Sequence, residues 1–491
     1  LRYHNSVPTY HVENFGCRAT QADGAALERQ FEARGLARAS AAQANLVILN
    51  TCSVTDSADQ DARAAIRRVQ RQNPLAKIIV TGCYAQRAPE ELAALPGVSA
   101  VIGNSHKHQL AGIALGENAR HDTTFLPVST LIANQELKTE NRIFVSDIFA
   151  HTELLAAPVF EHTTHESDRT RPNLKVQDGC DNRCSFCIIP SVRGNSRSLP
   201  LAQVIREMNT LVATGYREVV ISGINLGRWG RDLDFGPRTS DVGNALHWAQ
   251  GLQSEVRSPT PHFVDLIRAI LSETNIEKLR ISSVEPMDWS DDLISLVASS
   301  PRIAKHAHVP LQSGSDAVLR RMHRKYRPWH YREKIEKIRA AMPSAAIGAD
   351  VMAGFPGETD AEFDATRRLI ADLPFTYLHV FTYSARPGTP AAAMPDQVPV
   401  RVARERNKIL RDLAAEKKLA FMQSLIGESL QAITLNVIHD HPDGEFTEAL
   451  TDNYQKLHLK GLHQPNRWIT ARVTAVQDGA FVANPLPTTS A

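Results

Sequence analysis

The chain has 491 residues, of which 43% are hydrophobic and 22% charged, with a formal net charge of +2 and six cysteines. That length and composition predict two or three domains with real apolar cores, and no apolar run approaches the length of a membrane span. Sparse cysteine in so long a chain argues against a disulfide framework, and the visible start carries no apolar signal segment, so a reducing cytoplasm is expected. A charge near zero means that any nucleic-acid surface must be a local patch.

Residues 8–125 read as a first α/β domain. Tyr10-His-Val-Glu-Asn-Phe-Gly leads into Cys17, Leu46-Val-Ile-Leu-Asn-Thr into Cys52, and Lys77-Ile-Ile-Val-Thr-Gly into Cys83. The last two runs are short, apolar and β-branched, as in buried parallel strands. Helical patterns over Gln21–Gly35 and Ser57–Asn73 separate the three runs. Strand–helix–strand repetition predicts a doubly wound parallel sheet, whose ligands bind at the carboxyl ends of the strands. All three cysteines fall at that edge, so they can converge as a three-thiolate site; the alternative is three separate buried thiols. Residues 126–168 read as a connector without a clear period.

A second α/β unit is expected over residues 169–425. It opens with Gln177-Asp-Gly-Cys-Asp-Asn-Arg-Cys-Ser-Phe-Cys, which places Cys180, Cys184 and Cys187 in a C-x3-C-x2-C loop. A closed metal site wants four protein ligands. Three thiolates hold three corners of a [4Fe–4S] cube and leave one iron open; a Cys3His zinc site would need a histidine from outside the loop. Strands are expected at Glu218-Val-Val-Ile-Ser, Lys278-Leu-Arg-Ile-Ser, His306-Ala-His-Val-Pro, Ala346-Ile-Gly-Ala-Asp-Val-Met-Ala and Tyr377-Leu-His-Val-Phe. Helices are expected from Leu201 to Thr214, Pro261 to Ser272 and Asp360 to Asp372, with an insertion at about 229–260. Arg401 to Lys418 mixes both signs and reads as an ordinary exposed helix. Over 427–489 alternating runs separated by turn residues predict a small β-barrel.

These motifs together resemble the methylthiotransferases of the radical S-adenosylmethionine (SAM) superfamily over nearly the full chain. The matching segments include Phe15-Gly-Cys-Arg-Ala-Thr-Gln-Ala-Asp, Asn50-Thr-Cys-Ser-Val-Thr, Thr81-Gly-Cys-Tyr-Ala-Gln, Ile188-Ile-Pro-Ser-Val-Arg-Gly, Pro310-Leu-Gln-Ser-Gly-Ser and Gly354-Phe-Pro-Gly-Glu-Thr. Asn50-Thr-Cys-Ser-Val-Thr-Asp-Ser-Ala-Asp with Arg63, Arg67 and Arg68 is most similar to the branch acting on N6-threonylcarbamoyladenosine in tRNA. The isopentenyladenosine branch and the ribosomal-protein S12 branch are the near alternatives, and a non-catalytic RNA-binding protein with structural metal sites is the alternative outside the enzymes.

The resemblance implies a partial (β/α)6 barrel in the middle and a TRAM-type, OB-like RNA-binding barrel at the end, where Glu448-Ala-Leu-Thr-Asp-Asn-Tyr carries the likeness. It implies two [4Fe–4S] clusters, one on Cys180, Cys184 and Cys187 that binds and cleaves SAM, and an auxiliary one on Cys17, Cys52 and Cys83 that carries the inserted sulfur. A second SAM per turnover methylates that sulfur. The target C2–H of adenine is not acidic, so a side-chain base cannot remove it and a cofactor must supply a radical. Gly223, Glu285, Gln312 and Asp350 at strand ends, with Phe186 in the cysteine loop, are the candidates for the SAM pocket; glycines also simply make turns and polar residues cap helices. The partners implied are a tRNA anticodon loop and a one-electron donor. Candidate RNA contacts are the basic and aromatic run Arg320-Arg-Met-His-Arg-Lys-Tyr-Arg-Pro-Trp-His-Tyr-Arg, Arg193, Arg197, Arg63, Arg67, Arg68, and Tyr454, Lys456, His458 and Lys460 of the terminal barrel.

Overall fold

The structure is a computed structural model that describes residues 7–116, 142–151, 154, 171–233, 262–441 and 444–487. Most of the 126–168 connector and all of Asp241–Thr260 lie outside the described residues.

Strands β1 (Thr9–Asn14), β2 (Ala37–Arg38), β3 (Leu46–Thr51), β4 (Lys77–Gly82), β5 (Val98–Gly103) and β6 (Ile143–Phe144) form one sheet in the order β2-β1-β3-β4-β5-β6. Every pair in it is parallel. The β3 and β4 sequences are apolar throughout because helices cover both faces. Val47, Leu49 and Val80 pack with Ala62, Ile66 and Val69 of helix Asp56–Gln72, while Ile48 and Ile79 pack with Leu27 and Phe31 of helix Arg18–Glu32. Thr55 starts the first of these helices by accepting a hydrogen bond from the Ala58 amide at 3.2 Å. The strand order reverses between β1 and β3, where such a sheet opens its ligand crevice.

The second unit holds β7 (Asn173–Lys175), the hairpin strands β8 (Gln177–Asp178) and β9 (Arg197–Ser198), then β10 (Glu218–Ser222), β11 (Lys278–Ile281), β12 (His306–His308), β13 (Ala346–Ala353) and β14 (Tyr377–Thr382). Strand β10 pairs with β7 and β11, and β13 with β12 and β14, all parallel. Bridges Leu279↔Ile303 and Ser283↔His308 join the two halves. The result is a six-stranded parallel arc, β7-β10-β11-β12-β13-β14, with no pairing of β14 to β7 among the described residues. The expected helices appear as Leu201–Ala213, Phe263–Glu273 and Asp360–Asp372 on the outside of the arc.

Two expectations gain detail here. Trp229, placed at the start of an insertion, is fully buried in the main core, and its Nε1 donates to the Leu199 carbonyl at 2.9 Å. The Arg401–Lys418 run belongs to helix Val400–Gln423, which buries Arg406, Leu410 and Ala414. Arg406 is there because it donates to Glu358 at 2.8 Å and to Asp360 at 2.7 Å, so one face of this helix is packed while Arg401 and Lys408 on the other stay exposed.

Strands β15 (Ser429–His441), β16 (Gly444–Thr451), β17 (Lys456–Lys460), β18 (Trp468–Gln477) and β19 (Ala480–Pro485) close a barrel in the order β15-β16-β17-β19-β18. Alternate residues fill it, among them Ala432, Leu457, Leu459, Val473 and Phe481.

Candidate active site between two cysteine groups

Cys17, Cys52 and Cys83 follow β1, β3 and β4, the three strands at the switch point of the first sheet. Cys52 and Cys83 are buried and Cys17 is exposed. Gly16 sits at φ +95°, and a Cβ on it would stand 2.7 Å from Cys52 Sγ, so the glycine lets the Cys17 turn close on Cys52. Asn104 Nδ2 approaches Cys83 Sγ at 3.6 Å. Burial pushes the Cys52 thiol up to about 12, and the neighbouring Cys83 and Cys17 push the same way. Thiols whose anions repel one another ionise together only around a cationic centre.

Cys180, Cys184 and Cys187 lie in the loop after β8. The Cys187 amide donates to the Cys184 carbonyl at 3.1 Å and tightens the loop. Three donors reach its sulfurs: the Asn182 amide (3.4 Å) and Asn225 Nδ2 (3.6 Å) at Cys180, and Arg324 Nη1 (3.2 Å) at Cys184. Burial pushes the Cys187 thiol up to about 12, with Cys184 and Cys180 adding to it. The Asn225 amide oxygen is buried without a partner. Among the described residues no three His, Cys, Asp or Glu side chains gather around one point closely enough to hold a single metal ion.

The segment that follows Cys187 joins the two units at Cys83. Helix Ile189–Arg193 begins two residues after Cys187, and Ile188 and Val192 pack directly on Cys83. Asn104 Nδ2 also donates to the Val192 carbonyl at 2.7 Å. Arg193 ends that helix inside a buried ion network. It donates to Asp178 at 3.0 Å and Asp23 at 3.1 Å; Lys107 reaches Asp23 at 3.0 Å, and Lys175 binds both Asp23 and Asp178. Three cations meet two carboxylates, and Asp178, Cys83 and Asp23 hold Arg193 well above the ordinary arginine range against the effect of burial. Arg193 is only 2% exposed, which removes it from the RNA contacts expected of it.

Of the residues expected to line a SAM pocket, Glu285 pairs with Arg324, the same arginine that touches Cys184. Gly223 turns against Gln177, whose Oε1 a Cβ would meet at 2.8 Å. Phe186 meets Phe355 edge-on with centroids 6.5 Å apart. Gln312 takes φ +64°, its amide donates to the Asp350 carbonyl at 2.8 Å, and the Asp350 carboxylate lies 3.1 Å from His308 Nε2. Gly223, Glu285 and Phe186 thus border the cysteine loop, whereas Asp350 belongs to the inner wall of the arc.

The expected RNA contacts fare unevenly. Arg320 and Arg327 both pair with Asp316, Arg321 with Glu362 and Arg332 with Asp372, which leaves Lys325 and a 56% exposed Trp329 facing outward. Arg68 pairs with Glu13, and Arg63 with Glu91 at 3.8 Å. Lys456 pairs with Glu448 at 3.1 Å. Tyr454 is not a free stacking platform: it packs on His306 (4.8 Å) under the Arg280 guanidinium (5.3 Å). The Asp452-Asn-Tyr turn therefore docks the terminal barrel on the arc, with Asn453 donating to the Ser344 carbonyl at 3.0 Å. Arg324, expected in the basic run as an RNA contact, is only 7% exposed and turns to Cys184 instead. The sequence reading missed the roles of Lys107, Lys175 and Asp23 in the buried network.

Residues 9–103 match the model of "Uncharacterized protein family UPF0004", and residues 174–370 that of the radical SAM superfamily. The chain is 34% identical over 457 residues to the threonylcarbamoyladenosine tRNA methylthiotransferase MtaB of Bacillus subtilis, covering 93% of this chain and 91% of that one. It is 33% identical to a tRNA-2-methylthio-N(6)-dimethylallyladenosine synthase of Acidothermus cellulolyticus, covering 87% and 77%. In fold it resembles the radical SAM methyltransferase TsrM of Kitasatospora setae, with a TM-score of 0.54 and 14% identity over 82% of this chain and 84% of that one. The chain belongs to the radical SAM methylthiotransferase family.

Proposed function

We propose that this chain replaces the C2 hydrogen of N6-threonylcarbamoyladenosine by a methylthio group, at position 37 beside the anticodon of tRNA. The observation that carries the reading is the pair of three-thiol groups, one on each sheet edge, separated by the Ile188–Val192 contact with Cys83. A two-part transformation, sulfur insertion and methyl transfer, needs two such places close together. In this reading Cys180, Cys184 and Cys187 hold the [4Fe–4S] cluster that binds SAM, and Cys17, Cys52 and Cys83 hold a second one. When bound, these groups supply the radical and sulfur chemistry that no side chain has.

The chain's own residues do the rest. Asn182 and Asn225 direct donors at Cys180, and Arg324 at Cys184, in the loop proposed to bind SAM. Arg324 also fixes Glu285 at the rim. The Arg193 network holds the two groups in one rigid relation and keeps water from the junction. A tRNA anticodon loop offers an adenosine already partly unstacked, and an external one-electron donor and a cytoplasmic setting complete the requirements. The threonylcarbamoyl substrate is favoured over the dimethylallyl one by coverage: relatives named for the former match over 86–98% of their length, those for the latter over 77%.

The test is nucleoside mass spectrometry on tRNA from a host lacking its own enzyme and expressing this chain. A methylthio increment on threonylcarbamoyladenosine is expected. Cys52→Ala should abolish it while iron falls from about eight to about four per chain, since one four-iron cluster remains. An increment on dimethylallyladenosine instead would overturn the substrate, and none on any nucleoside from iron-loaded protein would overturn the reaction.

A further inference from the structure

Alternate residues of a strand point to opposite faces. Ala307, Ile347, Ala349 and Val351 enter the core under the helices, which turns His306, His308, Asp350, Tyr377, His379 and Phe381 to the inner wall of the arc. Gly348 lies opposite Tyr377, and a Cβ there would stand 2.0 Å from the ring, so only glycine leaves room for it. Most of this wall satisfies itself. The Tyr377 hydroxyl is 2.7 Å from His306 Nε2 and 3.0 Å from His308 Nδ1, and His308 Nε2 is 3.1 Å from Asp350. His379 stands apart from that chain. It stacks on His308 with centroids 5.4 Å apart and meets Tyr377 edge-on at 5.3 Å, yet its ring nitrogens have no hydrogen-bond partner among the described residues.

Arg18 comes to the same wall from the first unit. Its carbonyl accepts from Asn173 Nδ2 at 3.1 Å on β7, the edge of the arc opposite β14. That places Arg18 at the open seam of the arc, directly after Cys17. Its charge is felt at His306, Tyr377 and His379. It is half-buried, and no carboxylate pairs with it among the described residues. A half-buried guanidinium with no counter-ion among the described residues, at the seam whose other edge carries the exposed His379, is a site for an anion. Phe381 follows His379 on the same face of β14, 48% exposed, just before the turn where Ser384 accepts from the Asp56 amide at 3.2 Å. It offers a stacking plane close to the Cys52 loop.

We propose that Arg18 and His379 form a carboxylate subsite for the N6 substituent of the target adenosine, with Phe381 as the stacking plane for its base. The proposal rests on the threonylcarbamoyl reading and deepens it. A threonylcarbamoyl group ends in a free carboxylate. A dimethylallyl group ends in hydrocarbon and would leave Arg18 desolvated and unpaired, so the same two residues discriminate between the substrates.

The test uses iron-loaded full-length protein and three anticodon stem-loop RNAs. The target adenosine carries threonylcarbamoyl as the free acid, the same group as its methyl ester, or dimethylallyl. Binding is read by fluorescence anisotropy and product by mass spectrometry. Wild type should bind the acid at least tenfold tighter than either other RNA. Arg18→Gln and His379→Phe should each bring the acid down to the level of the ester, with iron and sulfide content as in wild type. Because Arg18 adjoins Cys17 in the chain, His379→Phe, which lies on β14 away from any cysteine in sequence and keeps a stacked ring, is the deciding variant if Arg18→Gln loses iron. Equal binding of acid and ester by wild type, or retained discrimination in His379→Phe, overturns the subsite. Wild type that methylthiolates acid and ester equally removes the subsite and leaves the substrate standing. Wild type that modifies only the dimethylallyl RNA removes both.

Discussion

Arg324 serves two partners at once, donating to Cys184 Sγ at 3.2 Å and to the Glu285 carboxylate. Burial alone would lower its pKa, but Tyr326, Glu285 and Cys184 hold it well above the ordinary arginine range, so it is a fixed charge. A fixed positive charge and an N–H donor at a ligating sulfur both stabilise the more negative, reduced state of a cluster. Arg324→Met removes both and leaves Glu285 unneutralised beside the loop. The expected result is a lower midpoint potential for the Cys180–Cys184–Cys187 cluster, by the equivalent of about 1.5–3 kcal/mol for one charged hydrogen bond, measured by EPR-monitored redox titration. An unchanged potential would show that Arg324 acts only on Glu285.

At the scale of elements, the three cysteines of the first unit meet because three parallel strands end at one edge. Gly16 and Gly82 make the last turns possible. Gly82 stands at φ +100°, and a Cβ on it would lie 2.2 Å from the Thr51 carbonyl oxygen. Gly16→Ala carries a left-handed penalty of about 1–2 kcal/mol besides the clash with Cys52, so a lower thermal midpoint and loss of iron from the first group are expected, with the Cys180 loop still loaded. Calorimetry and iron analysis of Gly16→Ala, alone and in a Cys180→Ala background where only the Cys17 group can load, check this. Much of this edge was legible in the sequence, because β-branched runs end at Cys52 and Cys83 and helical periods separate them. The expected and observed helices differ by at most a few residues, as Gln21–Gly35 against Arg18–Glu32 shows. Illegible were contacts that no local pattern encodes. Tyr454 looked like an RNA contact because its motif lies in a small barrel, yet it faces His306, which is 148 positions away. Arg193 looked basic and available, and only the docking of one unit on the other buries it.

That docking is the property of the whole molecule on which both cysteine groups depend. Asp23 comes from the first helix, Lys107 from the turn after β5, and Lys175, Asp178 and Arg193 from the second unit, so the buried network is the electrostatic seam between the units. Burial alone would raise the Asp23 carboxyl, but Lys107, Lys175 and Arg193 hold it down to about 2. Since the folded value lies below the unfolded one of about 3.9, the contribution is present in full above that unfolded value and is lost as pH falls through about 2. Asp23→Asn leaves three cations against Asp178 alone. Removing one partner of a buried set costs about 3–5 kcal/mol, and that loss is expected at pH 7 in denaturant unfolding of the iron-free chain. Between pH 4 and pH 2 wild type should lose stability faster than the variant, so that the two curves converge. Parallel curves across that window would show that Asp23 contributes by packing rather than by charge. At neutral pH the loosened seam should also lower the iron content of both groups together, because Cys83 and the Cys187 helix share the Ile188–Val192 contact beside it.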